Sequence, residues 1–234
     1  MNYSLVIPCF NEEGTVKILL EKTEDIFIKN NVELILVNNG STDNSHKILK
    51  EIIVNYQHAK YIYLKENLGY GGGIIEGLTK CQGEIIGGTH ADLQTNPLDC
   101  IQAFSKFKNE SKGVKLFIKG NRLERPLVDK FFTFGMSIFE SFLLRNIIYD
   151  VNAQPTVFPK EFFQTWINPP RDFSLDLYSY YLAIKNKYKI CRIKVNFLKR
   201  VSGESKWNNG FFSRIKFILR TVKYSLKLRF REVK

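Results

Sequence analysis

The chain has 234 residues, of which 44% are hydrophobic and 14% aromatic, and 35 basic against 23 acidic residues give it a formal net charge of +12. This composition excludes a disordered chain, and the length suits one domain with a sizeable core. The charge predicts an anionic partner, which is a nucleic acid, an acidic lipid surface or a phosphorylated substrate.

Strand and helix patterns alternate along the first half of the chain. Short β-rich or continuously apolar runs are separated by segments with helical periodicity and short connections. The predicted strands are residues 3–8, 33–37, 61–64, 84–88 and 115–118, and the helices are residues 13–28, 41–56, 74–80 and 97–108. Such alternation over about 120 residues predicts an α/β fold, with a mostly parallel sheet covered by helices on both faces.

The pattern changes after Arg122. A strongly apolar, phenylalanine-rich helix is followed by a strand-like segment, another helix and another strand. These elements are residues 131–148, 149–158, 175–185 and 189–198. Without an internal repeat or a low-complexity linker, we expect one domain over residues 1–208 and a helical extension over residues 209–234.

Four polar or glycine-rich loops follow predicted strands of the parallel sheet. They are residues 8–13, 38–40, 67–73 and 90–92. In open α/β sheets ligands bind outside the carboxyl ends of the strands, so we expect these loops to converge on one edge. This edge is called the rim below.

The glycine-rich loop "GYGGG" does not match the dinucleotide-binding pattern G-x-G-x-x-G, because Ile74 stands three residues after Gly71. Two interpretations remain. The loop is a tight turn that needs positive φ, or it lets the backbone approach a phosphorylated ligand closely.

His90 and Asp92 follow a buried strand pattern and are two residues apart. They form either a polar turn before the helix that starts at Pro97, or part of a metal site. In the second case Asp92 offers a hard oxygen to Mg²⁺ or Mn²⁺ that also binds a diphosphate. His90 would be a softer co-ligand or a hydrogen-bond donor to a phosphate, and Gln94 could complete the shell.

Six motifs in order, "VIPCFNEE", "LVNNGSTDNS", "NLGYGGG", "HADLQTNP", "GNR" and "GESKW", resemble those of family 2 inverting glycosyltransferases of GT-A fold. The chain is most similar to the branch of dolichyl-phosphate mannose synthases and polyprenyl-phosphate sugar synthases, over about residues 3–207. The resemblance implies a metal-dependent enzyme that transfers a sugar from a nucleotide-diphosphate sugar to a polyprenyl phosphate.

The resemblance also implies roles for donor-site residues. The segment that holds base and ribose matches Pro8, Phe10, Asn11 and Glu12. Amides stand where the family usually has an acidic pair, and a histidine replaces the first acid of Asp-Ala-Asp. The remaining donor-site matches are Asn38, Asn39, Gly71, His90, Ala91 and Asp92, with Gln94 completing "ADLQ".

For the acceptor phosphate, the resemblance implies Arg122, Ser205 and Lys206, and Lys130 is a looser match. Arg200 would add a further cation. A lipid phosphate is ionised near neutral pH, so the site must supply positioning and cations rather than a base. A divalent ion would stabilise the departing diphosphate.

A sugar-hydroxyl acceptor, as in surface polysaccharide or glycan synthesis, would instead need a general base. Asp176 in F-x-x-D most resembles the acidic residue of the family, and Asp172 lies nearby. The alternative interpretations are a helix-capping Asp172 and a structural Asp176.

The C-terminal segment combines an apolar and a basic stripe at helical spacing. The apolar stripe is Phe211, Ile215, Ile218, Val222 and Leu226, and the basic stripe is Lys216, Arg220, Lys223 and Lys227. This pattern predicts a helix at an anionic membrane surface, or a helix packed on the domain with a solvated basic face.

Location and further partners follow from the remaining features. No leader peptide opens the chain and no apolar run reaches the ~18 residues of a membrane span, so we expect a peripheral protein on the cytoplasmic face of a membrane. A separate membrane-protein partner remains open. No recognition-helix, zinc-finger or RNA-binding motif supports nucleic acid. Four cysteines without C-x-x-C spacing predict reduced, buried thiols.

Overall fold

The strands assemble into one seven-stranded sheet in the computed structural model, which describes residues 2–110, 113–123, 126–198, 200 and 211–230, with the backbone alone for residues 211–217. The strands are β1 Tyr3–Cys9, β2 Val32–Asn39, β3 Ala59–Leu64, β4 Ile85–Gly88, β5 Leu116–Leu123, β6 Thr156–Pro159 and β7 Lys189–Asn196. The helices are α1 Val16–Lys29, α2 Ser45–Ile52, α3 Gly69–Lys80, α4 Asp99–Glu110, α5 Leu127–Leu144, α6 Lys160–Gln164, α7 Ser174–Lys185 and α8 Phe211–Phe230.

The sheet has the order β3-β2-β1-β4-β6-β5-β7. Strand β6 is antiparallel to both β4 and β5, whereas β7 is parallel to β5 and β2 is parallel to β1 and β3. All strands except β6 therefore point the same way, and the predicted α/β fold with a mostly parallel sheet is confirmed. The carboxyl ends of β1, β2, β4, β5 and β7 share one edge, which is the rim.

The predicted strand over residues 149–158 was too long. Within this segment only the residues of β6 form a strand. Asp150 has a φ of 40°, which a strand does not accommodate. The carbonyl oxygens of Tyr149 and Asp150 accept hydrogen bonds from the Arg192 guanidinium instead of a neighbouring strand. The Arg192 side chain therefore takes the place of the backbone hydrogen bonds that a neighbouring strand would make with these two residues.

Hydrophobic side chains fill both faces of the sheet. In β2, Leu34 and Leu36 pack on the side of α1 and α4, while Ile35 and Val37 pack on the side of α3 and α7. This alternation follows from the two-residue period of a strand, and both faces are apolar because helices cover both.

All four cysteines are buried and free, as the sequence predicted. Burial raises the pKa of the Cys81 thiol to about 12, so this group stays protonated at neutral pH. None of the helices in the described ranges is long and apolar enough to span a membrane.

The glycine-rich segment is the first turns of α3 and not a separate turn. The helix begins at Gly69, five residues before the predicted start, and runs close to β1 and to residues 170–172. A Cβ on Gly71 would lie 2.6 Å from the Pro170 carbonyl oxygen, so the absent side chain allows the loop before α7 to approach. The close backbone approach seen at Gly71 is made by the protein itself, and contact of this segment with a phosphorylated ligand stays a prediction.

Helix α5 starts and ends four residues earlier than predicted and turns polar side chains inward. Pro126 precedes it and Arg145, in the left-handed conformation, ends it. Ser137 and Glu140 are buried, and burial raises the pKa of the Glu140 carboxyl to about 7. The protein thus holds this carboxyl largely protonated in slightly acid solution.

Gly77 lets α3 rest on the sheet, and we expect Gly77→Ala to destabilise the fold. The added Cβ would lie 2.2 Å from Cγ1 of Val6 and 2.9 Å from Cγ2 of Val37. Such overpacking costs about 1–3 kcal/mol. Gly135→Ala is the matched control, because a Cβ at this helical glycine meets nothing within 4 Å and should stabilise by about 0.5 kcal/mol. Urea unfolding of both variants measures the difference, and equal effects would contradict the packing described.

Glu140→Gln should raise the free energy of unfolding at pH 8 but not at pH 4.5. The pKa is about 7 in the folded protein and near 4.5 when unfolded. The carboxyl therefore destabilises the fold increasingly as pH rises from 4.5 to 7, because the unfolded state releases the proton first. The gain at pH 8 is up to about 3 kcal/mol at 1.36 kcal/mol per pKa unit. Denaturant unfolding at both pH values tests this, and a gain that does not change with pH would contradict it.

Candidate active site

Hydrogen bonds join the loops that follow β1 and β2. The Asn11 backbone N–H donates to Ser41 Oγ at 3.0 Å, and the Asn11 side chain exchanges hydrogen bonds with Thr42. The Glu12 backbone N–H donates to Ser45 Oγ at 2.9 Å. Asn11 has a φ of 57°, a left-handed conformation that asparagine tolerates better than most residues. These contacts bring two of the four predicted loops together.

Asn38 and Asn39 lie at the end of β2 and both are buried. Asn38 donates to the Tyr61 hydroxyl and accepts from the Ser41 N–H, while Asn39 donates to the Gly69 carbonyl and accepts from the Leu68 N–H. Both amides therefore hold the loops of the rim in place. Direct contact of either with a nucleotide base stays a prediction.

An aromatic wall connects α3 with the loop after β4. The Tyr70 ring stacks on Phe173 with centroids 4.6 Å apart, and the His90 ring lies 5.2 Å from Tyr70. Gly73 faces Pro8, since a Cβ there would lie 3.0 Å from the Pro8 Cβ. All four loops predicted to converge on the rim do so.

Asp92 lies just past the end of β4, with only 8% of its surface exposed. Its Oδ1 accepts a hydrogen bond from the Gln94 N–H at 3.1 Å, and its Oδ2 accepts one from the Arg200 guanidinium at 2.9 Å. The same guanidinium lies 3.6 Å from Glu12 Oε1. Arg200 therefore stands between two carboxylates that come from different loops of the rim.

This charge arrangement affects Glu12. Burial raises the pKa of its carboxyl, and the negative charge of Asp92 raises it further, while Thr15 and Arg200 act in the opposite direction. Two acidic groups so close in a half-buried site stabilise any cation between them. The position held by the guanidinium is thus a cation-binding position.

The residues at this position suit a divalent ion that is shared with a ligand. Carboxylate oxygens are preferred by Mg²⁺ and Mn²⁺, and the Asp92 carboxylate already binds a cationic group. Within the described residues no cluster of three or more His, Cys, Asp and Glu side chains could hold a metal by itself. Asp92 and His90 would need ligand oxygens, such as those of a diphosphate, to complete the coordination.

The other predicted neighbours of the ion are placed differently. The Gln94 side chain donates to the Leu198 carbonyl at 3.4 Å, on the segment that leads to Arg200. Ala91 packs in the hydrophobic core. Gln94 thus links the loop after β4 to the segment after β7, and its role as a metal ligand stays a prediction.

The acceptor-side cation Arg122 has a partner within the protein. Its Nε donates to Asp150 Oδ1 at 3.2 Å, a second guanidinium nitrogen also bonds this carboxylate, and the guanidinium lies 5.4 Å from the Phe197 ring. A phosphate would therefore meet a cation that Asp150 already neutralises in part. Lys130 is exposed on the first turn of α5. Ser205 and Lys206 lie outside the described residues.

The two candidate bases have structural partners. Asp172 accepts from the Ser174 N–H at 2.9 Å, which fits the helix-capping interpretation, and its other oxygen lies 3.5 Å from Arg220. Asp176 is buried, accepts from Gln154 at 2.9 Å and lies 3.7 Å from the Lys119 ammonium. The Oδ1 of Asp176 is thus occupied by neighbours, its buried Oδ2 has no hydrogen-bond partner among the described residues, and a role of either acid as a base stays a prediction.

Sequence reasoning missed the buried polar chain that contains Asp176. Gln154 also donates to the Tyr70 hydroxyl at 2.9 Å, and the fully buried Lys119 donates to Thr156 Oγ1 at 2.6 Å. Burial lowers the pKa of Lys119 to about 8, although Asp176 opposes this shift. The visible signal was a lysine inside the apolar strand pattern "LFIKG", since a buried charge needs a partner.

Comparison with known proteins gives a family match. The model described as glycosyl transferase family 2 matches residues 4–167. An undecaprenyl-phosphate 4-deoxy-4-formamido-L-arabinose transferase of Proteus mirabilis is 38% identical over 97 residues, which are 40% of this chain and 30% of that protein. The enzyme of that name from Pectobacterium atrosepticum is 32% identical over 146 residues, which are 60% of this chain and 44% of that protein. The chain thus spans less than half the length of these relatives.

Among solved structures, glucosyl-3-phosphoglycerate synthase of Mycobacterium tuberculosis, in complex with Mn²⁺, UDP and glucosyl-3-phosphoglycerate, has a similar fold. The TM-score is 0.73 at 16% identity, and the match covers 97% of this chain and 79% of that one. The same protein was also crystallised with Mg²⁺ and UDP. At this identity the likeness establishes the fold alone.

Arg200→Ala should increase the affinity of the protein for Mn²⁺ in the absence of nucleotide. The guanidinium competes with any ion for the Asp92 carboxylate, so its removal should lower the Mn²⁺ dissociation constant about tenfold, or about 1.4 kcal/mol. The free Mn²⁺ signal in electron paramagnetic resonance measures this. Lys194→Ala, at an exposed position of β7, removes the same charge away from Asp92 and should change little. Equal or weaker binding by Arg200→Ala would show that the ion does not share this position.

Proposed function

The chain belongs to glycosyl transferase family 2, and from this we propose that it moves a sugar from a nucleotide-diphosphate sugar to a polyprenyl phosphate at a membrane surface. The observation that carries the proposal is the Asp92 carboxylate at the end of β4, which binds a cationic group on the rim. Relatives named undecaprenyl-phosphate transferases support the choice of acceptor.

The donor would lie along the rim. The loop of residues 8–12 and the buried asparagines of β2 form one wall for base and ribose, and Asp92 with His90 would hold Mg²⁺ or Mn²⁺ beside the diphosphate. When bound, the ion neutralises the charge that develops on the leaving diphosphate. Asp92 would act on the diphosphate only by holding that cation, while the wall of Tyr70 and Phe173 would exclude water beside it.

The transfer needs no general base. The bond between the anomeric carbon and the diphosphate oxygen breaks with its electron pair going to the diphosphate, and an ionised acceptor phosphate oxygen forms the new bond from the opposite face, with inversion. The residue set agrees with this chemistry, because both candidate bases, Asp172 and Asp176, are held by neighbours. The protein has to supply cations and alignment.

The acceptor phosphate would be held by cations at the carboxyl ends of β5 and β7. Arg122 is the penultimate residue of β5 and Arg200 follows β7, and because these two strands are parallel neighbours both cations lie at the same edge of the sheet. Arg200, displaced from Asp92 in the loaded enzyme, becomes available for the acceptor phosphate. Lys130, Ser205 and Lys206 would complete the phosphate site.

The C-terminal helix α8 would bring the domain to the cytoplasmic face of a membrane. Lys223 and Lys227 are exposed, as the sequence predicted, and can meet anionic lipid headgroups. Arg220 instead pairs with Asp172 and lies 5.6 Å from the Phe173 ring, so it fastens the helix to the domain rather than extending the basic stripe. A membrane-protein partner could assist this attachment.

Asp92→Asn should abolish most of the transfer while leaving the fold intact. Removing the charge that holds the cation should lower the rate about 100-fold or more, by analogy with the loss of other groups that stabilise developing charge. The assay measures transfer of labelled sugar from a panel of nucleotide sugars to undecaprenyl phosphate with Mn²⁺.

The matched control is Asp25→Asn, an exposed acid on α1, which should keep the wild-type rate. A thermal-shift panel of nucleoside diphosphates with and without Mn²⁺ identifies the donor base in parallel. Full activity of Asp92→Asn, or turnover with sugar hydroxyls but never with a lipid phosphate, would overturn the proposed function.

A further inference from the structure

Helix α5 exposes a continuous apolar face. Leu127, Phe131, Phe134, Ile138 and Phe142 recur every three or four residues and are 82%, 74%, 59%, 54% and 86% exposed. This spacing places them on one side of the helix, which we call the α5 face. Val128 and Gly135 belong to the same side, so no charge interrupts the face between its ends.

The opposite side of α5 is the more polar one. Ser137 and Glu140 are buried there together with Leu144 at the end of the helix, and Ser137 Oγ accepts a hydrogen bond from the Asp150 N–H. A helix of a water-soluble domain normally turns its apolar stripe to the core and its polar side to solvent. The inverted pattern indicates that a second apolar phase covers the α5 face.

Helix α8 packs against α5 and also exposes apolar side chains. Leu219, Leu226 and Phe230 are exposed on α8 at helical spacing, with the exposed Lys223 on the same side. Several large apolar side chains exposed on each of two packed helices exceed the scattered exposed hydrophobics of ordinary surfaces and mark an interaction site.

Cations border this apolar surface. Lys130 lies on the first turn of α5, Arg145 ends the helix, and Lys223 and Lys227 are exposed on α8. An apolar face bordered by lysine and arginine complements an anionic lipid surface, where the apolar side chains enter the acyl boundary and the cations meet the headgroups. A second copy of this chain would bring the same cations against each other.

We propose that the α5 face inserts into the interfacial layer of an anionic lipid bilayer, with α8 supplying neighbouring cations. The inference rests on the proposed function in one respect, because that function supplies the lipid acceptor. Insertion of the α5 face would bring this acceptor close to the rim. Only three residues separate β5, which ends next to Arg122, from the start of α5. Insertion would thus hold the acceptor-side cations near headgroup level.

Binding to vesicles tests the proposal with the complete chain. Vesicles of phosphatidylcholine with one quarter phosphatidylglycerol are sedimented with the wild type and with Phe131→Ala/Phe142→Ala. Each phenylalanine lost should weaken partitioning about tenfold, so the double variant should bind about 100-fold more weakly. The control Ile28→Ala/Val54→Ala truncates two hydrophobic residues that are exposed outside this face and should bind as the wild type does.

Two outcomes would overturn the proposal. One is equal vesicle binding by wild type and double variant. The other is absence of vesicle binding together with a concentration-dependent dimer that the double variant abolishes, which would assign the face to a second copy. Transfer to a short-chain, water-soluble prenyl phosphate is assayed separately. If the double variant keeps this transfer activity but loses vesicle binding, the proposal is supported. If the wild type lacks this transfer activity, the result counts against the proposed function alone.

Discussion

The arrangement of the rim depends on the compensation of one buried negative charge. Asp92 lies at the end of β4 with little contact to water, and a buried carboxylate is costly unless it is paired. Arg200 supplies the pairing from the far end of the sheet, on a segment fastened by the Leu198 N–H to the Gln94 carbonyl at 2.7 Å. The rim therefore requires a cation beside Asp92, and a guanidinium or a divalent ion can satisfy the same requirement. This exchange would couple donor binding to the acceptor side if Arg200 also binds the acceptor phosphate, as proposed above.

A second ionic pair lies beneath the rim, between β5 and α7. Lys119 enters the interior from β5 and meets Asp176 of α7, and Gln154 connects that carboxylate to Tyr70 beside His90. Three elements distant in sequence are thus joined beneath the rim. Breaking such a buried pair costs far more than an exposed one, so Asp176 has a structural reason to be acidic. That reason accounts for the acid at this position, and a role of Asp176 as a general base stays a prediction.

Much of the fold could be predicted from sequence because it rests on local periodicity. Continuous apolar runs such as residues 33–37 indicated central strands, and their carboxyl ends indicated the rim. The glycines before Ile74 were read as a turn, because glycine weakens isolated helices and only the close approach of residues 170–172 and of Pro8 explains their presence in α3. Partners were equally invisible: nothing near Arg122 in sequence indicates Asp150, nor does anything near Asn39 indicate Gly69. Side chains at a site can be named from a pattern, but whether they are free for a ligand depends on tertiary contacts.

The orientation of α5 could not be predicted from sequence either, because it depends on what lies against the outer side of the helix. Its phenylalanines predicted a helix, and a helix so apolar is ordinarily buried, yet the core receives Ser137 and Glu140. The Glu140 carboxyl, whose pKa is raised to about 7, destabilises the fold in neutral solution. The phenylalanines exposed to water do not stabilise the fold. Both features become reasonable if a low-dielectric phase lies against the outer face, since a helix can then be stabilised from outside rather than by the core. Helix α8, fastened by Arg220 to Asp172 at the start of α7, would then align that phase with the edge of the sheet where the acceptor is proposed to bind. A membrane contact built from α5 and α8 would thus orient the catalytic edge, which attachment through one basic helix alone would leave free to rotate.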